Sequence, residues 1–455
     1  MAKGLAILQV SDNLLKERPL STNYRSDDAT ALVGMPELVV GAQLFRDGEW
    51  WLNVETPAAV VWCHGCGCRA IGHGRNRTQV RDLPIAGTPT VLVFARRRWR
   101  CAEALCPVRT WSEHVDAIAA RSVLTERARE RIAVMVNVEG DSIAAAAVEF
   151  GVGWHTAHQA VIDYTDPAID DPTRLDGVRG IGVDEKRFLN ANVEHRTVFT
   201  TQIVDLDRHV LLDVIEGRSA DVLGSWLTSR GVDWCANITL ATLDPAAGYR
   251  KALDTHLPNA VRVVDHFHAI KLANAAIDDA RRRVQQVTLG HRGRKGDPLY
   301  RGRRVFLTGW ERLSDERLVW LFELLAVGDP DGEVGATILA RELLREVYAA
   351  VDTAHAHRRL IVFLQHCAEA EVPELTRLAR TIDRWTPEVL AYHATGGASN
   401  GRVENIHMLA EKTRRNAHGF TNHANYRSRL IGRLGIKWTT IPTRRIRGRQ
   451  PHSAA

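Results

Sequence analysis

The chain has 455 residues, 45% of them apolar, a formal net charge of +6 and a pI near 9.0. That length predicts two to four domains, and the apolar content excludes global disorder. No run approaches the about 18 uncharged apolar residues of a membrane span, and Met1–Lys16 lacks the basic start and apolar block of a secretory signal. A cytoplasmic, nucleoid-associated protein without membrane contact is therefore expected. Basic residues bunch at Arg96–Arg100, Arg281–Arg283, His291–Lys295, Arg301–Arg304, Arg414–Arg415 and Arg444–Arg449. Any one bunch reads as an ordinary solvated face, but the series suits a surface that tracks the phosphates of double-stranded DNA.

In chain order, residues 1–30 are polar and aperiodic and read as an N-terminal arm. The segment 31–115 opens with short strands around Leu38–Val40, Gln43–Phe45 and Trp50–Val54, with Arg46-Asp47-Gly48 as a hairpin turn. Five of the seven cysteines then fall between Cys63 and Cys106. An odd number without an export signal argues against a disulfide framework and for metal. Cys63-His-Gly-Cys66 and Cys101-Ala-Glu-Ala-Leu-Cys106 form two knuckles separated by strand-like runs from Arg69–Ala70 and at Thr90–Phe94. Each knuckle presents two thiolates, so Cys63, Cys66, Cys101 and Cys106 predict a closed, structural Zn²⁺ site in a zinc ribbon. The second knuckle is wider than usual, which keeps Cys68, His64 and His73 open as substitute ligands. Arg97, Arg98 and Arg100 lead into it and predict a DNA-facing surface.

Residues 120–170 read as a helix-turn-helix. Leu124–Val136 is a supporting helix, Asp141 or Ser142 caps a helix to Phe150, Gly151-Val152-Gly153 turns the chain, and Trp154–Tyr164 forms the second helix. An ordinary helical hairpin has the same pattern. As a recognition helix, the second would turn His155, Thr156, His158 and Gln159 toward base edges. Thr165–Pro172 reads as a linker.

The segment 178–268 reads strand, strand, strand, helix, strand, helix, strand, the order of a ribonuclease-H-like core. Asp184 ends the first strand and Asp244 the fourth, so their carboxylates fall at neighbouring strand ends. A helical insertion is expected over 269–392, interrupted by the basic loop Gly290–Gly302. Its Trp310, Trp320 and Trp385 suit core packing better than base stacking. The segment 393–440 carries the final helix, and 441–455 is a basic tail. On that helix Glu404 lies in the first turn, where the helix dipole alone favours an acid, among Asn400, Arg402, Lys412 and Arg414, which suit a phosphate backbone. Two strand-end acids and a third from a helix suit a two-metal site with ions about 3.5–4 Å apart, and oxygen ligands suit Mg²⁺ or Mn²⁺.

Several segments together resemble the ISL-three family of insertion-sequence transposases, over nearly the whole chain. They are the two cysteine knuckles, Gly182-Val-Asp184-Glu185, Val214-Ile-Glu-Gly-Arg218-Ser219, Leu257-Pro-Asn-Ala260, Asp265-His-Phe-His268, Ser399-Asn-Gly401 with Glu404, and Gly419-Phe420. The resemblance implies a DDE transposase with Asp184, Asp244 and Glu404 as its triad. Such an enzyme binds the ends of its element, cleaves them with metal and joins the 3′ ends to target DNA, acting as a homodimer or larger oligomer. Asn405-Ile406-His407 departs from the family, which more often has a Gly and an Asn there, and so does Asp244–Tyr249. Asp265 and His268 resemble the D-x-x-H element of Mutator-like transposases and are expected as active-site neighbours, with Asp265 an alternative middle acid. The expected fold is thus multidomain α+β: zinc ribbon, helix-turn-helix, and a ribonuclease-H-like α/β core with a helical insertion. Two rival readings are a non-catalytic zinc and helix-turn-helix DNA-binding protein derived from a transposase, and a structure-specific nuclease on the same core.

Overall fold

The computed structural model describes residues 28–193, 196–245 and 247–438. Most of the expected arm, residues 1–27, and the whole expected tail, 441–455, lie outside them; Asp28–Val33 forms a short helix, α1. The chain divides into two compact units, one running to Asp171 and the other covering Pro172–Arg415 and Phe420–Ile436.

In the first unit, β1 (Val39–Arg46), β2 (Glu49–Glu55), β3 (Ala70–Ile85), β4 (Thr88–Cys101) and β5 (Thr110–Ser112) form one sheet. Its order is β1-β2-β4-β3, with β5 on β4. The β2–β4 pair is parallel and the others antiparallel. Asp47 and Gly48 both have positive φ, 53° and 80°, as a tight hairpin turn requires. β3 and β4 are far longer than the runs read from sequence, because their arginines are neutralised within the sheet. Arg75 and Arg97 lie 3.1 and 3.6 Å from the buried Glu55 carboxylate, and the Arg97 amide donates to Glu113 Oε1 at 2.6 Å.

Helices α2 (Glu126–Val134), α3 (Ile143–Glu149) and α4 (Trp154–Ile169) follow. Ser142 caps α3, its Oγ accepting from the Ala145 amide at 3.0 Å. Ala146, Ala147, Ala157 and Ala160 let these helices close on Ile132 and Phe150. α4 does not stop at Tyr164. It runs through Pro167 to Ile169, into the expected linker, where buried Thr165 both accepts from Asn137 Nδ2 at 2.9 Å and donates to the Val161 carbonyl at 2.7 Å. The segments 31–115 and 120–170 lie in this one unit, where Asp82 of β3 accepts from Thr125 Oγ1 and Arg127 Nε.

The second unit holds β6 (Gly180–Leu189), β7 (Val198–Asp205), β8 (Val210–Glu216), β9 (Leu240–Leu243) and β10 (Val261–Val264) in the order β10-β9-β6-β7-β8. β6, β7 and β8 pair antiparallel, and β9 and β10 join parallel to β6. Helices α5 (Ala220–Arg230), α6 (Val232–Ala236) and α7 (Ala247–His256) connect the later strands. α8 spans His266–Leu289, so the expected boundary at 268/269 falls inside a helix: Asp265 has extended backbone at the N-cap and His268 sits in the first turn. α9 (Pro298–Gly302) occupies the end of the segment read as a basic loop. α10 (Asp315–Gly328), α11 (Glu333–Tyr348), α12 (Thr353–Glu369), α13 (Pro373–Arg384) and α14 (Thr386–Ala394) complete the helical region, followed by α15 (Gly401–Asn416) and α16 (His423–Leu434). One hydrophobic core joins the sheet to the helical region: Ile181, Val183 and Leu243 belong to the same cluster as Leu344, Phe363 and Trp385. Trp310 and Trp320 pack on a second cluster. No helix among the described residues is long and apolar enough to cross a membrane.

Candidate active site and zinc centre

β6 alternates, so Val183 enters the core while its neighbours Asp184 and Glu185 face opposite ways. Asp184 is 4% exposed and Glu185 pairs instead with Arg218 at 3.2 Å. Parallel pairing of β6 with β9 brings the chain just after Leu243 beside Asp184, and that residue is Asp244. α15 supplies Glu404 beside Asp184 and 3.7 Å from His268, the partner of Asp244, which requires its backbone to approach β6. Gly182 makes room: a Cβ there would collide with Val403 Cγ2 and lie 3.1 Å from both Leu206 Cδ2 and Thr242 Oγ1. Gly182→Ala is accordingly expected to cost about 1–3 kcal/mol by overpacking and to reduce activity by moving Glu404. Thermal unfolding together with cleavage assays checks this; unchanged values for both would contradict the seating of α15.

Two histidines complete the cluster. His268 Nε2 lies 2.5 Å from Asp244 Oδ1 and 3.7 Å from Glu404 Oε1, while His407 Nδ1 lies 2.8 Å from Asp184 Oδ2. Lys186 Nζ stands 3.5 Å from the same Asp184 oxygen. Burial pushes the Asp184 carboxyl up, but the adjacent His407 ring, with Lys186 and His268, outweighs it and holds Asp184 below the usual carboxylate range. Asp244 moves the other way: burial, reinforced by the Asp184 charge, raises it despite His268. For His268, burial acts downward and the Asp244 carboxylate more than offsets it, for a net rise.

Asp184, Asp244 and His268 bring ligand atoms within 4.8 Å of one another, and so do Asp184, Glu404 and His407. Asp244 Oδ1 and both His407 nitrogens are buried without an aligned hydrogen bond. Unsatisfied donors and acceptors of this kind fit a divalent cation better than an apolar core. Asp265 belongs to neither group: it is fully buried, its Oδ1 lies 2.9 Å from His266 Nδ1, and its charge also acts on His268. The sequence reading missed His407, although its i+3 spacing from Glu404 on one helix face was a usable signal.

In the first unit, the sulfur atoms of Cys63, Cys66, Cys101 and Cys106 come within 4.8 Å of one another, with Cys63–Cys106 at 3.7 Å and Cys66–Cys101 at 3.4 Å. Tetrahedral ligands at the usual Zn–S length are about 3.8 Å apart, so the set fits zinc. Gly67, with φ 70°, turns the first knuckle, and the Glu103 amide points at Cys101 Sγ at 3.4 Å. Cys68 is exposed and outside the set, and the His64 ring packs edge-on to Trp111.

The expected DNA contacts divide. On α4, Ala157 and Ala160 are buried, leaving His155 and Gln159 exposed and Thr156 and His158 half-buried on the open face; the exposed Trp154 ring stacks on His158 at 4.6 Å. Arg100 is exposed and Arg98 half-buried. Arg97 is instead a structural residue. Strand alternation turns it onto the chain after β2, where it donates to the carbonyls of Thr56 and Pro57 at 2.7 and 2.8 Å. Asn400 is likewise fully buried, its carbonyl accepting from the Glu404 amide at 2.8 Å at the start of α15, so it is not a surface contact. Lys412 is exposed, Arg414 is held by Glu411 at 2.9 Å, and the side chain of Arg402 lies outside the described ones.

A family model described as a transposase, of the ISL3 DDE type, matches residues 181–430, and one described as the zinc-finger of transposase IS204/IS1001/IS1096/IS1165 matches residues 59–106. The first spans more than half of the chain, which therefore belongs to the ISL3 family of DDE transposases. The transposase for insertion sequence element IS1001 of Bordetella parapertussis is 23% identical over 373 residues, 81% of this chain and 87% of that relative. Transposases for insertion sequence element IS1557 of two Mycobacterium tuberculosis strains are 25% identical over 293 residues, 59% of this chain and 63% of each relative. A DDE domain implies a divalent cation and a zinc ribbon implies zinc, and both donor sets described above fit those ions.

Proposed function

We propose that this transposase binds the ends of its insertion sequence, hydrolyses a phosphodiester at each end and joins the released 3′-hydroxyls to target DNA. The gathering of Asp244 and of Glu404 about the shared Asp184, each in a group with one histidine, carries the reading. Strand order β10-β9-β6-β7-β8 supports a ribonuclease-H-like core, with α8–α14 as the helical region between its last strand and the helix bearing Glu404. A pair of Mg²⁺ or Mn²⁺ ions held by these acids would activate the attacking water or 3′-hydroxyl and stabilise the departing 3′-oxygen.

The protein's own groups orient that chemistry. Asp184, shared by both ligand groups, is buried, and its Oδ1 accepts from the Glu185 amide at 2.7 Å, which orients the carboxylate. His268 fixes the orientation of Asp244. The open face of α4, following the short α3 and a glycine turn, supports a helix-turn-helix that enters a major groove. The zinc ribbon, with Arg98 and Arg100 on its approach strand, supplies phosphate contacts. Work on two ends calls for at least a dimer. Products of a reaction on labelled end DNA test the pathway: free 3′-hydroxyl ends and joined strands are expected, whereas a trapped phosphotyrosine or phosphoserine adduct would exclude it.

A further inference from the structure

His407 is a buried polar group that the acid triad leaves unexplained. It is 3% exposed, and neither ring nitrogen has an aligned hydrogen-bond partner, although Nδ1 lies 2.8 Å from Asp184 Oδ2. Burying a polar ring without an aligned partner is unfavourable, so an interior position calls for a compensating ligand. Glu404 stands one helical step earlier on the same face of α15. The ligand atoms of Asp184, Glu404 and His407 are mutually within 4.8 Å, as are those of Asp184, Asp244 and His268, and the two groups share only Asp184.

We infer that these groups are two cation positions bridged by Asp184, each completed by one imidazole, and that His407 is a metal ligand that makes the site select Mn²⁺ over Mg²⁺. The inference rests on the metal-site reading above. Carboxylate and water ligands hold Mg²⁺ and Mn²⁺ alike, but imidazole binds transition ions better than it binds the hard, oxygen-demanding Mg²⁺. A nitrogen donor in each position therefore separates two ions that an all-oxygen triad would not. Lys186, 3.5 Å from Asp184 Oδ2, adds a positive charge that disfavours weakly held cations further.

The test uses the full chain with its zinc in place. Mn²⁺ binding is followed by electron paramagnetic resonance, and the bound ion is examined by spin-echo modulation for coupled ¹⁴N. Wild type is expected to bind two Mn²⁺ with imidazole ¹⁴N modulation. His407→Asn is expected to lose part of that modulation and to weaken one Mn²⁺ by about tenfold or more, with Mg²⁺ affinity changed by less than about threefold. Unchanged modulation and Mn²⁺ affinity in folded His407→Asn, judged by circular dichroism, would overturn the inference. If that variant does not fold, His268→Asn decides: residual ¹⁴N modulation supports ligation by His407 and its complete loss overturns it. Failure of the underlying metal-site reading looks different, since Mn²⁺ binding would then survive Asp184→Asn.

Discussion

Asp184→Asn is expected to slow end cleavage by at least about 10³-fold while end binding is retained, since removing several kcal/mol of metal-supplied stabilisation converts at about 1.4 kcal/mol per tenfold. Asp184 belongs to both ligand groups, so its loss affects both proposed cation positions. Amide for carboxylate preserves shape, and the carbonyl of the introduced side-chain amide can still accept from the Glu185 backbone N–H, as Asp184 Oδ1 does at 2.7 Å, so the strand should be undisturbed. Glu404→Gln is expected to be less severe, because Glu404 joins only one group and is more exposed. Gel-shift and cleavage assays on the same end DNA check both. Equal loss of binding and cutting would instead mark Asp184 as a folding residue.

Stripping zinc, or replacing Cys101 with Ser, is the second large effect. Structural zinc contributes about 10–16 kcal/mol of apparent binding free energy in small zinc domains, comparable to the whole stability of a typical domain. Here the cluster anchors the far end of the β3–β4 hairpin: Cys101 closes β4 and pairs with Ala70, the first residue of β3. Among the described residues, only Val108 and Trp111 pack against the cysteines as partly buried apolar neighbours. Little hydrophobic burial remains there to hold the knuckles without metal. Chelation is expected to open residues 59–106 to protease and to abolish specific end binding, while the acids of the second unit keep their metal. Zinc-free protein with full protection and full end affinity would contradict this.

The acids were legible because each follows an apolar run, Gly180–Val183 before Asp184 and Ile238–Leu243 before Asp244, although β6 continues to Leu189 through its pairing with β7, so that Asp184 lies within the strand and not at the end expected for it. Such runs give strand order, and parallel pairing of β6 with β9 then sets the two carboxylates side by side. The cysteine spacing was legible for the same local reason. What was lost depended on partners distant in sequence. The length of β3 and β4 was hidden because arginine-rich strands lack an apolar signature, and their arginines find partners distant in sequence: Arg75 and Arg97 at Glu55, Arg81 at Glu49, and Arg96 at the carbonyls of Glu113 and Ile118. Arg97 read as a DNA contact because sequence does not reveal that its side chain falls beside the carbonyls of Thr56 and Pro57. Asn400 read as a phosphate-backbone contact because nothing local announces that it alone is buried in an otherwise accessible turn before α15. α4 outran its turn-forming residues through tertiary bonds to α2 and the turn after it, Arg129 to Asp163, Tyr164 to Glu126 and Asn137 to Thr165.

The most direct test of the triad compares Asp244→Asn with Asp265→Asn in metal-dependent cleavage of labelled end DNA, at protein concentrations giving equal binding. Asp244 shares a ligand group with Asp184, whereas Asp265 is buried against His266. Wild type should cut, Asp244→Asn should lose cutting, and Asp265→Asn should retain it in proportion to its folded fraction. Loss in folded Asp265→Asn with cutting preserved in Asp244→Asn would contradict the assignment of the middle acid, and binding without cutting by wild type across Mg²⁺ and Mn²⁺ would contradict catalysis by this site.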